Sequence, residues 1–262
     1  MQLDGAHVRY VAEKGTGWIT LTRPRVLNAL DARVAAELNE ATAMAERDAD
    51  AWVLVVTGEG RAFSSGMDRT ALSAGEVGEP FFRHWIRALN RLEDMPKLVV
   101  AAIRGYCLGG GLQLALACDL RLCAADAVLG LGATRHGLIP DGAVLRLARV
   151  VGLGRAKELA LLNDNLTAPA AAAMGLVNWV VPAAEFDTAL ARVIERCREA
   201  APTAAAHTKR LLQASFHGDP RAMIEDVVAA QMECMRSWEL REANQAWDEK
   251  REARYFPPPG RP

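Results

Sequence analysis

Residues Gly105–Asp119, "GYCLGGGLQLALACD", set three consecutive glycines directly ahead of an apolar helical pattern. The apolar run "LVVAAIR" precedes them, so the glycines lie at a strand-to-helix hinge. At a helix N-terminus the first amides lack intrahelical acceptors and the helix dipole favours negative charge. Glycines there remove the side chains that would hold a ligand oxygen away. Packing of helix on strand accounts comfortably for one glycine and poorly for three. The hinge therefore predicts a backbone donor for a developing oxyanion. Two nucleotide readings fail on spacing. The glycines are out of GxGxxG register with Asp119 too close to meet a ribose, and no Gly-Lys-Ser/Thr follows.

Outward from the hinge, "AWVLVVTG" (51–58) predicts a buried strand, and "DLRLCA" and "AVLGLG" predict two short ones. Residues 7–22 alternate around Lys14–Gly17 as a β-hairpin, Asp31 caps a helix running toward Arg47, and a helix spans Pro80–Leu92. Between them "EGRAFSSGMDRTAL" (59–72) reads as a glycine-punctuated loop entering a helical turn. Gly66 there can take a positive φ and aim the Met67 amide into a pocket, a second offer of the same kind. Asp68 reads as the cap of the following turn. From Asp141 onward "DGAVLRLARVVG", "GRAKELALLN" and "APAAAAMG" read as helices, "VNWVVP" as a strand, and four further helices complete the chain. The expectation is an α/β core of strand–helix repeats with an α-helical C-terminal appendage and a frayed "FPPPGRP" tail.

A formal net charge of −1 over 262 residues offers no global field to recruit nucleic acid or an anionic membrane. The N-terminus lacks a basic-then-apolar signal and no apolar run reaches bilayer length, which makes cytoplasm the expected compartment. Cys107, Cys118, Cys123, Cys197 and Cys234 form no CxxC pair and read as plain thiols. No metal site is expected, since HExxH and cysteine–histidine clusters are absent, and no GxSxG serine elbow occurs.

The segments "RPRVLNAL", "VLVVTGEGRAFSSGMDRTAL", "AAIRGYCLGGGLQLALACDLRLCA", "HGLIPDG" and "WDEKREARYF", in this order and over nearly the whole chain, resemble the crotonase (enoyl-CoA hydratase/isomerase) superfamily. The resemblance implies a spiral of β-β-α units over 1–200, a helical trimerisation region over 201–262, and a homotrimer or dimer of trimers. It implies that the amides of Met67 and Gly110, bordered by Gly66 and Gly109, form an oxyanion hole for an acyl-coenzyme A thioester. It places Arg25, Val26 and Leu27 near the coenzyme's phosphate and adenine. Lys250 matches a lysine that approaches the nucleotide, often from a neighbouring subunit. Coenzyme A enters as part of the substrate, and no separate cofactor is implied.

Hydratases of that family carry two catalytic glutamates. Their positions here hold Gln113 and Ala133. Glutamine orients a carbonyl or water but does not exchange a proton at neutral pH. Asp141 occupies the place where the dienoyl-CoA isomerase branch keeps a catalytic aspartate, although Pro-Asp-Gly is also a turn signal and the segment after it is one residue short of the family's usual form. His136, beside Arg135, is a further base candidate with a satisfied structural histidine as its rival; His84 receives no role. Double-bond isomerisation with one base survives the loss of a glutamate pair better than hydration does. Decarboxylation or thioester hydrolysis on the same hole, and a non-catalytic acyl-coenzyme A binder, are the alternatives. A lysine-rich first helix carries RNA binding in one branch of the family; the net-acidic "DARVAAELNEATAMAERDAD" argues against it here.

Overall fold

A computed structural model describes residues 1–256, so all but Phe256 of the "FPPPGRP" tail lies outside the described residues. The chain begins with β1 (Gln2–Asp4), β2 (Val8–Glu13) and β3 (Thr16–Leu21), an antiparallel meander. Lys14 (φ 47°) and Gly15 (φ 78°) turn the β2–β3 hairpin with both residues left-handed, as a tight two-residue turn requires. Helix α1 (Ala32–Arg47) starts where the Asp31 carboxylate accepts from the Val34 amide at 2.8 Å.

Three strand–strand–helix turns follow. The first holds β4 (Val53–Gly58), β5 (Ala62–Ser64), α2 (Arg69–Ser73) and α3 (Glu79–Asp94). The second holds β6 (Leu98–Ile103), β7 (Tyr106–Leu108) and α4 (Gly110–Leu116). The third holds β8 (Leu120–Ala124), β9 (Val128–Gly130), a 3-10 turn at Thr134–His136 and α5 (Leu147–Leu162). Each turn sends its first strand to a large sheet and its second to a small one. After β10 (Leu166–Thr167), α6 (Ala168–Ala173) and β11 (Trp179–Val181), the large sheet has the order β1-β2-β3-β4-β6-β8-β11 and the small one β10-β9-β7-β5. The large sheet is parallel from β3 to β11; in the small sheet only β10 runs antiparallel.

Strand β4 shows why the large sheet is apolar on both faces. Leu54 and Val56 join the main core with Tyr10, Leu38, Trp85 and Leu89. Val53 and Val55 join a second core with Phe186, Leu190 and Ile194 of α7 (Phe186–Arg198). Alternate residues of one strand thus serve two layers, the pattern of a covered parallel sheet. Helices α8 (Pro202–Ala214), α9 (Met223–Arg236) and α10 (Trp238–Glu249) complete the described chain. The Lys209 ammonium of α8 fastens the C-terminal helices to the core, donating to Leu92 O and Lys97 O at 3.0 Å and to Asp119 Oδ2 at 2.9 Å. Among the described residues no helix is long and apolar enough to cross a membrane.

Two sequence expectations change here. The 59–72 segment is not loop throughout, because Ala62–Ser64 pairs with β7. The helix expected from Asp141 starts only at Leu147 and kinks at Gly152 (φ 75°, ψ 157°), leaving 141–146 as a turn. The reason for that turn lies in the site.

Candidate functional site

The three hinge glycines are each required locally, and for different reasons. Gly109 takes φ 52° and ψ −118°, a conformation hostile to a side chain. A Cβ on Gly110 would lie 2.4 Å from Leu30 Cδ1, and one on Gly111 would lie 2.7 Å from the Ser64 carbonyl of β5. Close packing therefore explains more of the triplet than its sequence context indicated. The same packing brings the second loop alongside. Gly66 (φ 88°) runs so near the hinge that a Cβ on it would sit 2.8 Å from Leu108 O and 3.3 Å from Gly110 N.

Met67 is held by extended pairing with Leu30. The Leu30 amide donates to Gly66 O and the Asp68 amide donates to Leu30 O, both at 2.8 Å. In extended backbone successive amides point to opposite sides, so the Met67 N–H is directed away from Leu30. Among the described residues neither Met67 N nor Gly110 N donates to any acceptor. Both residues line a cleft of about 1220 Å³.

Val26, Gly66, Asp68, Gly109, Gln113, Ala133, His136 and Asp141 line the same cleft. Arg25 and Leu27 flank Val26 on the preceding 3-10 turn without lining it. Lys250 does not line it either; it ends α10 in left-handed conformation, exposed, next to an exposed Trp247. His84 faces α1 instead, 3.3 Å from the Asn39 amide. Asp68 caps α2 by accepting from Thr70 N and Ala71 N, and pairs with Arg23 at 3.2 Å.

Gln113 is buried, and its amide oxygen is already occupied. Oε1 accepts from Gly142 N at 2.8 Å and from Trp85 Nε1 at 3.3 Å. Arg146, also buried, donates from Nη1 to Gly142 O at 2.9 Å while its Nη2 meets Asn90 Oδ1 at 2.7 Å and Glu93 Oε2 at 2.6 Å. Both ends of the Gly142 peptide unit pair are thereby taken by side chains, which keeps 141–146 out of the helix. A Cβ at Gly142 would meet Leu89 Cδ1 at 2.4 Å and Gln113 Oε1 at 2.7 Å, so glycine is needed there.

This clamp presents Asp141. Its Oδ2 is buried with no hydrogen-bond partner, and the side chain caps no helix. Burial pushes the carboxyl above the usual aspartate range; the Gly142 and Asp141 amides, the Gln113 side chain and Arg146 act in the opposite direction without cancelling it. His136 is exposed on the 3-10 turn and lies against Arg69, whose Nη1 is 3.2 Å from Nε2. Arg135 turns away to Leu162 O at 2.8 Å and Asp164 at 3.2 Å.

Several contributors carry no sequence signal of their own. Arg23 ties together the caps of α1 and α2, reaching Asp31 at 3.0 Å as well as Asp68. Asn28 (φ 54°) is buried and donates to Glu59 O and Ala62 O, which fixes the loop before Leu30. Trp85 and Arg146 lie 28 residues before and 33 after Gln113, beyond any local spacing rule.

A spiral of strand–strand–helix turns, with backbone donors left free where the small sheet meets α4, defines an enzyme of the crotonase fold. The chain belongs to the enoyl-CoA hydratase/isomerase family, whose model matches residues 12–257. It is 30% identical over 242 residues to a short-chain-enoyl-CoA hydratase of Clostridium acetobutylicum, covering 91% of this chain and 93% of that one. It is 34% identical over 200 residues to a carnitinyl-CoA dehydratase of Salmonella enteritidis, covering 75% and 76%. The crystal structure of an enoyl-CoA hydratase from Bacillus anthracis superposes with a TM-score of 0.87 at 29% identity, covering 95% of this chain and 98% of that one.

Proposed function

We propose that this enzyme binds the thioester of an unsaturated acyl-coenzyme A, polarises its carbonyl between Met67 N and Gly110 N, and shifts a double bond with Asp141 as the only proton carrier. The observation that carries the reading is the pair of unengaged amides on adjoining segments, opening on the same cleft as a half-buried aspartate whose Oδ2 is enclosed and unpaired. Two such donors stabilise the enolate oxygen that forms as a chain carbon conjugated to the carbonyl loses its proton; removal of one typically raises the barrier by about 3–4 kcal/mol.

Asp141 as carboxylate takes a proton from one carbon of the acyl chain, and the electron pair moves through the double bond onto the carbonyl oxygen. The resulting acid returns the proton to the carbon at the other end of the conjugated system. A raised pKa suits that exchange, because it brings donor and acceptor closer in proton affinity. Hydration needs a group to activate water and one to protonate carbon. Ala133 supplies neither, and the Gln113 oxygen is committed to Gly142 and Trp85.

The coenzyme portion is assigned to the Arg25–Leu27 turn at the cleft edge. Lys250 would reach it from a neighbouring copy in a trimer or dimer of trimers. The exposed apolar residues Ile224, Val227, Val228, Met232 and Met235 of α9 support such an assembly. The deciding experiment replaces Asp141→Asn. Turnover of unsaturated acyl-coenzyme A esters is expected to fall by about 10²- to 10⁴-fold with affinity retained; unchanged turnover would remove Asp141 from this role.

A further inference from the structure

The ionisable groups lining the cleft are Asp68, Arg69, Arg135, His136, Asp141 and Asp164. Three of them already have an opposite charge within the protein. Asp68 pairs with Arg23, and Asp164 with Arg135, each at 3.2 Å. Asp141 is recessed in the Gly142 turn. Arg69 alone is a cleft-lining guanidinium without a carboxylate partner among the described residues. Among the described residues its polar side-chain neighbour is His136, with Nη1 at 3.2 Å from Nε2 and 3.5 Å from Nδ1, and no carboxylate compensates the cation.

The placement of the pair matters as much as its charge. Arg69 follows Met67 by two residues, on the wall that carries one free amide. His136 belongs to the 3-10 turn that starts from Ala133, in the strap leading to Asp141. The two therefore bridge opposite walls beside the reacting centre, whereas the turn assigned to the coenzyme lies at Pro24–Val26. Phe82 and Leu138 line the same cleft and supply apolar surface for a short carbon chain. A guanidinium presents several N–H groups in a plane and binds a carboxylate by two parallel hydrogen bonds.

We infer that the acyl group this enzyme accepts carries a carboxylate, which Arg69 grips across the cleft with His136 beside it. This rests on the thioester reading above and adds the class of acyl chain. Calorimetry with two inert, saturated probes tests it without turnover: the coenzyme A esters of glutaric acid, with a free carboxylate, and of pentanoic acid, of equal length with a methyl end. The glutaryl ester is expected to bind on the order of 10- to 100-fold more tightly, the range for a hydrogen-bonded charge pair. Arg69→Met should erase that preference while leaving pentanoyl affinity unchanged, and Arg69→Lys should restore part of it. Equal affinity of the wild-type enzyme for both esters would overturn the assignment. So would an Arg69→Met variant that weakens both esters alike, which would place Arg69 on the coenzyme's phosphates. Binding of neither ester would instead bring down the thioester reading, and this assignment with it.

Discussion

The two sheets of this molecule are encoded differently. The large sheet is centred on six-residue strands such as β4 and β6, apolar on both faces and packed between two cores. The small sheet is built from strands of two or three residues, and its position is fixed by glycines pressed against backbone. The first owes its stability to side-chain burial. Just past β5 and β7 the second carries the Met67 and Gly110 amides, which donate to no acceptor among the described residues. On the function proposed here, stability rests mainly on the large sheet and the carbonyl-polarising amides on the segments that follow the small one.

Substitutions of similar size should separate the two. Leu54→Ala deletes methyl groups from the main core and is expected to cost about 2–5 kcal/mol, read as a lower midpoint in urea, with the folded enzyme keeping its turnover number. Gly66→Ala places a Cβ 2.8 Å from Leu108 O in a left-handed backbone, on the loop that aims the Met67 amide. Left-handed strain alone costs about 1–2 kcal/mol, and the backbone contact adds to it. The stability loss should therefore be comparable to that of Leu54→Ala, yet kcat of the folded enzyme should drop by a factor on the order of 100 through the displaced donor. If Gly66→Ala lost stability and no catalysis beyond it, the division of labour between the sheets would fail.

The smallest expected effect lies in the strap. Because burial raises the Asp141 pKa in the folded chain, the folded state holds that proton more tightly than the unfolded state does. The carboxyl's contribution to stability is therefore fullest below the unfolded value and declines as pH rises toward the folded one. Above that it is level. Asp141→Asn removes the decline, so its melting temperature should match or fall below wild type in acid and gain on it as pH rises through that interval. A pH-independent difference would mean that the carboxyl is not perturbed by its surroundings.

Much of the large sheet was readable from residue order. The β2–β3 hairpin, β4, β6, β8, β11 and the Asp31 cap all follow local rules of alternation, burial and capping. The short strands β1, β5, β7 and β10 have no run long enough to show a period. The chain's glycine clusters and family motifs marked Met67, Gly110, Gln113 and Asp141, and the cleft contains all four. Residue order left Gln113 as an altered glutamate. The fold makes it a clamp, through partners at Trp85 and Gly142.

The sequence by itself determined where strands and helices alternate, which amides have no helical acceptor, and that both hydratase carboxylates are missing. These are properties of neighbouring residues and of side-chain chemistry. Tertiary structure alone decided that Gly142 is held by Gln113 and Arg146, that one oxygen of Asp141, Oδ2, is enclosed without a hydrogen-bond partner, and that Arg69 meets His136. Those relations join residues tens of positions apart, and they arise only when packing converts separation along the chain into contact in space.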